Sequence, residues 1–422
     1  MRKRILISVA AVFGVILLAY LGTAVFFMGH FLPGTRAGEK DLSMKDPKVL
    51  DEMLKKEVEE YELALKVPSG ESDREIITGK DISLTISAGE ADRYLQKQNA
   101  FLWPLYLLGQ KKDKIQVETA YDMQALEQKI RELRVVTEGG NGPVSARPEF
   151  DGERYQVTSE KYGVLMERLE EKIRAYIEEL EPEIDLMEEE CLQVPEYLST
   201  SPEVEQACEE LNQYCGTSVT YTMDQNIVVD APLISGWLRC STSMEVTLDE
   251  AAVREWMREF GQKYDTQGKT RTITTPGGKT VEVSGGTYGW IIDEETETQA
   301  LIDSIRNHET VTKEPACLQR AAAWGGTDWG GTYLEVDLSS QYMWYIKDGA
   351  AVLATDVVTG SPTADMATPS GVYSILYTQA GAVLIGAPDP ETGEPIYKTK
   401  VRYWMPFTQQ GHGFHEIGRA HV

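Results

Sequence analysis

Apolar positions follow three different rhythms along the chain. The first is unbroken: Ile5 to Met28 runs for 24 positions without a charge, behind Met1-Arg2-Lys3-Arg4. As a helix at ~1.5 Å per residue this run reaches ~36 Å, more than the ~30 Å hydrocarbon core of a bilayer. The basic cluster lies before it, so residues 1–4 are expected in the cytoplasm, 5–28 as a transmembrane helix, and everything after His30 outside. A cleaved signal peptide is the alternative. Its apolar core is usually ~7–15 residues long, and Phe26-Phe27-Met28-Gly29-His30 offers no small-x-small cleavage site.

The second rhythm is helical and it recurs. Residues 29–67 read as a stalk (FLPGTRAGEKDLSMKD) followed by a helix over 47–66, on the spacing of Leu50, Leu54, Val58, Tyr61 and Leu65. Asp81–Ser87 alternates with period two and predicts a strand. Val157, Tyr162-Gly163 and Cys191-Leu192-Gln193 return as Val283, Tyr288-Gly289 and Cys317-Leu318-Gln319, each 126 residues later. The stripe Leu126, Ile130, Leu133 returns as Val253, Met257, Phe260 at 127, and Leu84-Thr85-Ile86 is matched, more loosely, with Val219-Thr220-Tyr221. The pattern predicts two α+β modules, 68–190 and 191–320. Eight acidic residues in the thirteen of Glu178–Glu190 read as a solvated helix end and linker between them.

From Thr332 the rhythm becomes that of strands. Thr332, Leu334, Val336 and Leu338 alternate with Tyr333, Glu335 and Asp337, which predicts one buried face. Tyr342–Ile346 and Ala351–Val358 flank Lys347-Asp348-Gly349, a hairpin signal. Further strands are expected at Val372–Tyr377, after the turn Thr368-Pro369-Ser370-Gly371, and at Val401–Phe407. The fold class is therefore α+β: an apolar N-terminal helix, two repeated modules, and a mainly-β domain over 330–415.

Composition narrows the function. With 41 Lys+Arg against 67 Asp+Glu the net charge is −26, which excludes a duplex-binding protein; no nucleic-acid partner is expected. Cys191, Cys208, Cys215, Cys240 and Cys317 show no CxxC pair and no disulfide framework, and read as buried thiols. His412 and His415, beside the strand containing Tyr403 and Trp404, are candidate catalytic groups; as a pair three apart they also fit a plain surface loop. No metal and no cofactor is expected, because no further ligands stand at useful spacing.

The motifs decide between these. The stretch TYLEVDLSSQYMWYIKDGAAVLATDVVTGSPTADMATPSGVYSI resembles the start of an L,D-transpeptidase (YkuD-type) catalytic domain. Its carriers are the G-x-Y-x-E-V-D-L strand, the Q-x-x-W-x-Y hairpin, the D-V-V-T-G strand end and the T-P-x-G-x-Y turn. Tyr403-Trp404-Met405-Pro406-Phe407 followed by Gly413-Phe414-His415 resembles that family's Y-W-M-P-F…G-(I/L/F)-H-D segment, and the Tyr162-Gly163 and Tyr288-Gly289-Trp290 positions resemble those of the peptidoglycan-binding modules that precede it. The resemblance implies a membrane-anchored enzyme facing the cell wall, acting on peptidoglycan stem peptides and glycan and forming 3→3 cross-links through a cysteine acyl-enzyme. It implies that His415 is the general base, and that Tyr403 and Trp404 bind substrate. The family's S-H-G-C segment, which holds the nucleophile, does not occur in these 422 residues, and this polypeptide is expected to be inactive. Residues 416–422 (EIGRAHV) match the translation of a widely used sequencing-library adapter and are expected to be read-through, with Asp the natural residue at 416. The alternative is a membrane-anchored peptidoglycan-binding protein without catalysis.

Overall fold

The computed structural model describes residues 2–416 except 38–39, 69–73, 87–89, 110, 113, 116–117, 140–141 and 364–365. It divides into two units, one formed by the residues up to Arg147 with Val157–Val204, the other by Pro148–Gln156 with the residues from Glu205 onward.

The first unit begins with the helix Arg2–Phe27, 26 residues long with a mean hydropathy of 2.6 over its most apolar stretch. Most of its side chains, Phe13 and Leu18 among them, are exposed, while Ala24 and Phe27 near its end are buried; by length and composition it can cross a membrane. The segment expected to be a stalk is folded instead. Phe31, Leu32 and Leu42 are fully buried, and the strand Arg36–Ala37 pairs antiparallel with Lys40–Asp41 and parallel with Lys114–Ile115. The helix expected over 47–66 ends early. Pro47–Glu59 is a helix, started by Asp46 accepting from the Lys48 N–H, with Pro at its first position. The chain then turns into the strand Glu62–Lys66, in which Leu63 and Leu65 are buried. Tyr61, Leu63 and Leu65 also satisfy a period of two, and the sheet wins.

That strand is the middle of a three-stranded sheet, parallel to Glu183–Asp185 and antiparallel to Glu75–Thr78. The helices Met123–Glu132, through Leu126 and Ile130, and Met166–Glu178, through Leu169, Ile173 and Ile177, share one apolar cluster with it. The expected strand 81–87 shrinks to Thr85–Ile86, paired with Thr119–Ala120, because Asp81–Ser83 forms a turn; Ser87 lies outside the described residues. The acidic stretch supplies the strand Glu183–Asp185, and Glu189 meets Lys172 at 2.5 Å while Glu190 meets Arg168 at 2.8 Å.

The second unit repeats the frame. Ser218–Tyr221 runs antiparallel to Ile227–Val229 and parallel to Thr310–Lys313. Against this sheet lie Glu250–Tyr264, through Val253, Met257 and Phe260, and Glu294–Arg306, through Leu301 and Ile305. Val219 and Tyr221 therefore correspond to Leu63 and Leu65, not to Leu84–Ile86. The strand Thr85–Ile86 corresponds to Leu238–Cys240, paired with Val246–Leu248 ahead of the Glu250–Tyr264 helix. The helices Glu90–Lys97 and Trp103–Leu107 are an excursion found only in the first unit, and they displace the sequence match.

The same unit ends in two small sheets. Tyr333–Asp337, Tyr342–Lys347 and Ala350–Asp356 form a meander. Its hairpin turn has φ of +51° at Asp348 and +79° at Gly349, the all-positive pair that follows strand twist. Gln379–Ile385, Lys398–Pro406 and Gly413–Phe414 form the other sheet. Two expectations are corrected here. Val372–Tyr377 is not a strand: Val372 alone makes a bridge, parallel to Gly286. On Tyr333–Asp337 the buried residue is Glu335, while Leu334 and Val336 are half-buried.

Candidate active site

The short strand Gly413–Phe414 sets the geometry. It pairs antiparallel with the end of Lys398–Pro406, Phe414 opposite Met405 and Gly413 opposite Pro406. One step further, His415 comes opposite Trp404, and the two rings lie 6.0 Å apart. Tyr403 is exposed and, by strand alternation, faces the other side from Trp404. The structure thus brings His415 and Trp404 together and leaves Tyr403 apart.

The two histidines are held differently. His412 is half-buried; its Nδ1 lies 2.8 Å from Thr408 Oγ1 and its carbonyl accepts from the Phe407 N–H at 2.9 Å. His415 is exposed, with Nδ1 3.0 Å from the Glu416 carbonyl oxygen. A carbonyl only accepts, so Nδ1 is the donor in this contact, and in the neutral imidazole that leaves the lone pair on Nε2. The Glu416 carboxylate accepts from the Arg402 and Tyr403 N–H groups, and the Arg402 bond leads in holding its pKa below the usual range.

The surrounding loops are tied by side chains that spacing alone does not announce. Gln341 donates to Leu338 O at 2.8 Å and Thr359 Oγ1 at 2.5 Å, and accepts from the Thr359 N–H at 2.7 Å, pinning the D-V-V-T-G strand end. Thr368 of the T-P-x-G-x-Y turn accepts from the Gly360 N–H at 2.9 Å. Tyr373 of that turn lies 5.4 Å from Phe407, whose ring is 5.6 Å from Phe414.

All five cysteines are free, but only Cys191 and Cys208 are buried; Cys215 and Cys317 are half-buried and Cys240 is exposed, so the expectation of five buried thiols is corrected. Burial pushes Cys215 and Cys317 up to about 11, which keeps both as thiols at neutral pH. Glu335 was not anticipated. Both of its carboxylate oxygens are buried without a hydrogen-bond partner among the described residues, and burial, with Asp337 adding to it, raises its pKa. Its place in an alternating pattern reads as solvent-facing, so no sequence signal marks it.

Two family models match: a peptidoglycan binding domain over residues 198–312 and the L,D-transpeptidase catalytic domain over 331–422. Among solved structures, the Ldtfm–avibactam carbamoyl enzyme is 30% identical over 52% of this chain and 83% of that one, with a TM-score of 0.44. A Cys-to-Ser mutant of the Enterococcus faecium L,D-transpeptidase is 32% identical over 49% and 80%, with a TM-score of 0.41. The catalytic domain of the E. faecium enzyme is 44% identical over 20% of this chain and 61% of that one, with a TM-score of 0.17. Comparison with curated proteins gives no match. A peptidoglycan binding domain followed by a transpeptidase domain defines a class of enzyme that cross-links the cell wall. On the family match and the shared sequence, the chain belongs to the L,D-transpeptidase family. Residues 417–422, where most of the departure from the family pattern falls, lie outside the described residues.

Proposed function

We propose that the protein is a single-pass, outward-facing L,D-transpeptidase anchored by residues 5–28, with wall-binding modules at 68–190 and 191–320 and a catalytic domain from 330. The observation that carries this reading is His415: an exposed imidazole at a sheet edge, beside Trp404, with Nδ1 occupied and Nε2 free to take a proton. The nucleophile of this reading is the cysteine of an S-H-G-C segment, which these 422 residues do not contain.

In the reaction, His415 Nε2 takes the thiol proton. The thiolate attacks the carbonyl preceding the terminal D-Ala of a stem tetrapeptide; a C–S bond forms, the C–N bond breaks, and D-Ala leaves with the proton from the imidazolium. An amine on a neighbouring stem then attacks the thioester, gives its proton to His415, and the 3→3 cross-link releases the cysteine. Of the two residues assigned to substrate, Tyr403 and Trp404, the second has its ring beside His415, which supports a role for it in lining the donor stem. The second reading, an anchored wall-binding protein without catalysis, is favoured by the thiols present, all of which burial raises.

The gene sequence beyond codon 415 separates the two: an S-H-G-C frame supports the enzyme, a genuine stop codon the binding protein. With that frame restored, His415→Ala is expected to lose acylation by a carbapenem or tetrapeptide donor by about 100-fold or more, and His412→Ala to keep it. The reverse pattern, or equal loss in both, overturns the assignment of His415. Protease added to wall-stripped cells should digest the bulk of the chain; protection would reverse the topology.

A further inference from the structure

The Tyr288-Gly289-Trp290 motif turns its functional atoms inward. Trp290 is 3% exposed, stacked on Trp324 at 3.7 Å and 3°, and its Nε1 donates to Ala323 O at 2.7 Å. The Arg320 guanidinium sits 5.4 Å from the same ring centroid. Tyr288 Oη accepts from the Ala322 N–H at 2.8 Å and donates to Asp328 O at 3.0 Å. Arg271 grips the Asp328 carboxylate with two bonds, at 2.8 and 2.7 Å; the pair is 5% and 2% exposed, and Thr266 Oγ1 donates to the same carboxylate at 2.5 Å. Every partner named here belongs to the same module or to the segment Arg320–Trp329 that leads into the catalytic domain. A sugar-binding aromatic must present a ring face to solvent, and this one does not.

The other side of the motif touches the catalytic domain directly. The Val372 N–H donates to Gly285 O at 3.1 Å, and the Tyr288 N–H donates to Val372 O at 3.0 Å. Gly286 has φ +87°, and a Cβ there would lie 2.0 Å from Val372 O, so only glycine allows this approach. Val372 precedes Tyr373, which packs on Phe407, which in turn lies 6.2 Å from His412 and 5.6 Å from Phe414.

We propose that Tyr288-Gly289-Trp290, with Gly285-Gly286, Arg271 and Asp328, is an intramolecular clamp. It fixes the segment 320–329 through side chains and the T-P-x-G-x-Y turn through main chain, and it is not the glycan-binding surface of its module. In the first module the residue after Tyr162-Gly163 is Val164, and Tyr162 is part of the apolar core.

Amide hydrogen exchange by mass spectrometry on the full 422-residue chain tests this. Gly286→Val is expected to raise exchange about tenfold or more in both 285–288 and 368–373, leaving the Tyr342–Asp356 hairpin unchanged. Tyr288→Phe and Asp328→Asn should raise it in 320–329, while retention on purified cell wall stays at the wild-type level. These two milder variants decide the matter if Gly286→Val does not fold. Unchanged exchange at 368–373 in a folded Gly286→Val protein overturns the clamp, as does loss of wall retention in Tyr288→Phe with exchange at 320–329 unaltered.

Discussion

The two helices that follow the Tyr-Gly positions differ at one telling place. Met166–Glu178 and Glu294–Arg306 each have 13 residues, and each buries its fourth, eighth and twelfth. In the first these are Leu169, Ile173 and Ile177; in the second they are Glu297, Leu301 and Ile305. Glu297 is 1% exposed and fully engaged: it accepts from Tyr221 Oη at 3.0 Å and from the Ala316 N–H at 2.7 Å, and it pairs with Lys313. One frame thus tolerates an apolar or an ionic residue at the same core position, provided the surrounding donors change with it. Replacing one residue without its partners is what the frame forbids.

Exchanging the two residues breaks this comparison most sharply. Leu169→Glu puts a carboxylate into the apolar cluster of Leu126, Ile130 and Ile173, and should cost about 4 kcal/mol or more in urea unfolding of the first unit. Glu297→Leu strands Tyr221 Oη, the Ala316 N–H and the Lys313 ammonium, and should cost about 2–3 kcal/mol. Adding Tyr221→Phe and Lys313→Met should return part of that loss; no recovery would mean that the network is not what holds the position.

Glu335 is another buried carboxylate, and neither of its oxygens has a hydrogen-bond partner among the described residues. Burial raises its folded pKa above the unfolded value, so the folded state holds the proton more tightly. Its contribution is greatest in acid and is lost as pH rises from the ordinary carboxylate range through the raised value. Glu335→Gln should flatten that part of the pH–stability curve; an unaltered slope would show that the carboxyl is ionised or paired in solution. The smallest effect belongs to the first module's surface. Glu127 reaches Arg131 at 3.6 Å and Arg174 at 3.8 Å, and Glu127→Ala should change stability by no more than about 0.5 kcal/mol.

The repeat was legible because its anchors are local. The stripe Leu126, Ile130, Leu133 and its copy Val253, Met257, Phe260 are buried as their period requires, and so is Cys191 beside its strand. The helix register was hidden. The first helix starts three residues after Gly163 and the second five after Gly289, yet a compensating difference beyond them restores the offset at Cys191 and Cys317. The central strand was missed for a related reason: Tyr61 and Leu65 fit a helical stripe as well as a period of two, and pairing with Glu75–Thr78 and the distant Glu183–Asp185 decides for the strand. At the candidate site, the motif put His415 just beyond the strand that holds Trp404, but not the short strand Gly413–Phe414 that brings the two rings within 6.0 Å, and Gln341, Thr368 and Asp328 are joined to their partners by loops that no period describes.

The strand Ala350–Asp356 is exposed at all seven positions and, among the described residues, pairs on one side only. Its first six residues, Ala-Ala-Val-Leu-Ala-Thr, contain no charge and no proline to deter a second strand. For anyone preparing this polypeptide, that edge sets the working concentration. Two molecules meeting there can extend one sheet across both, so the associated fraction will rise with concentration while the folded cores stay intact, and a lysine at Val352 or Ala354 is the remedy the edge itself suggests.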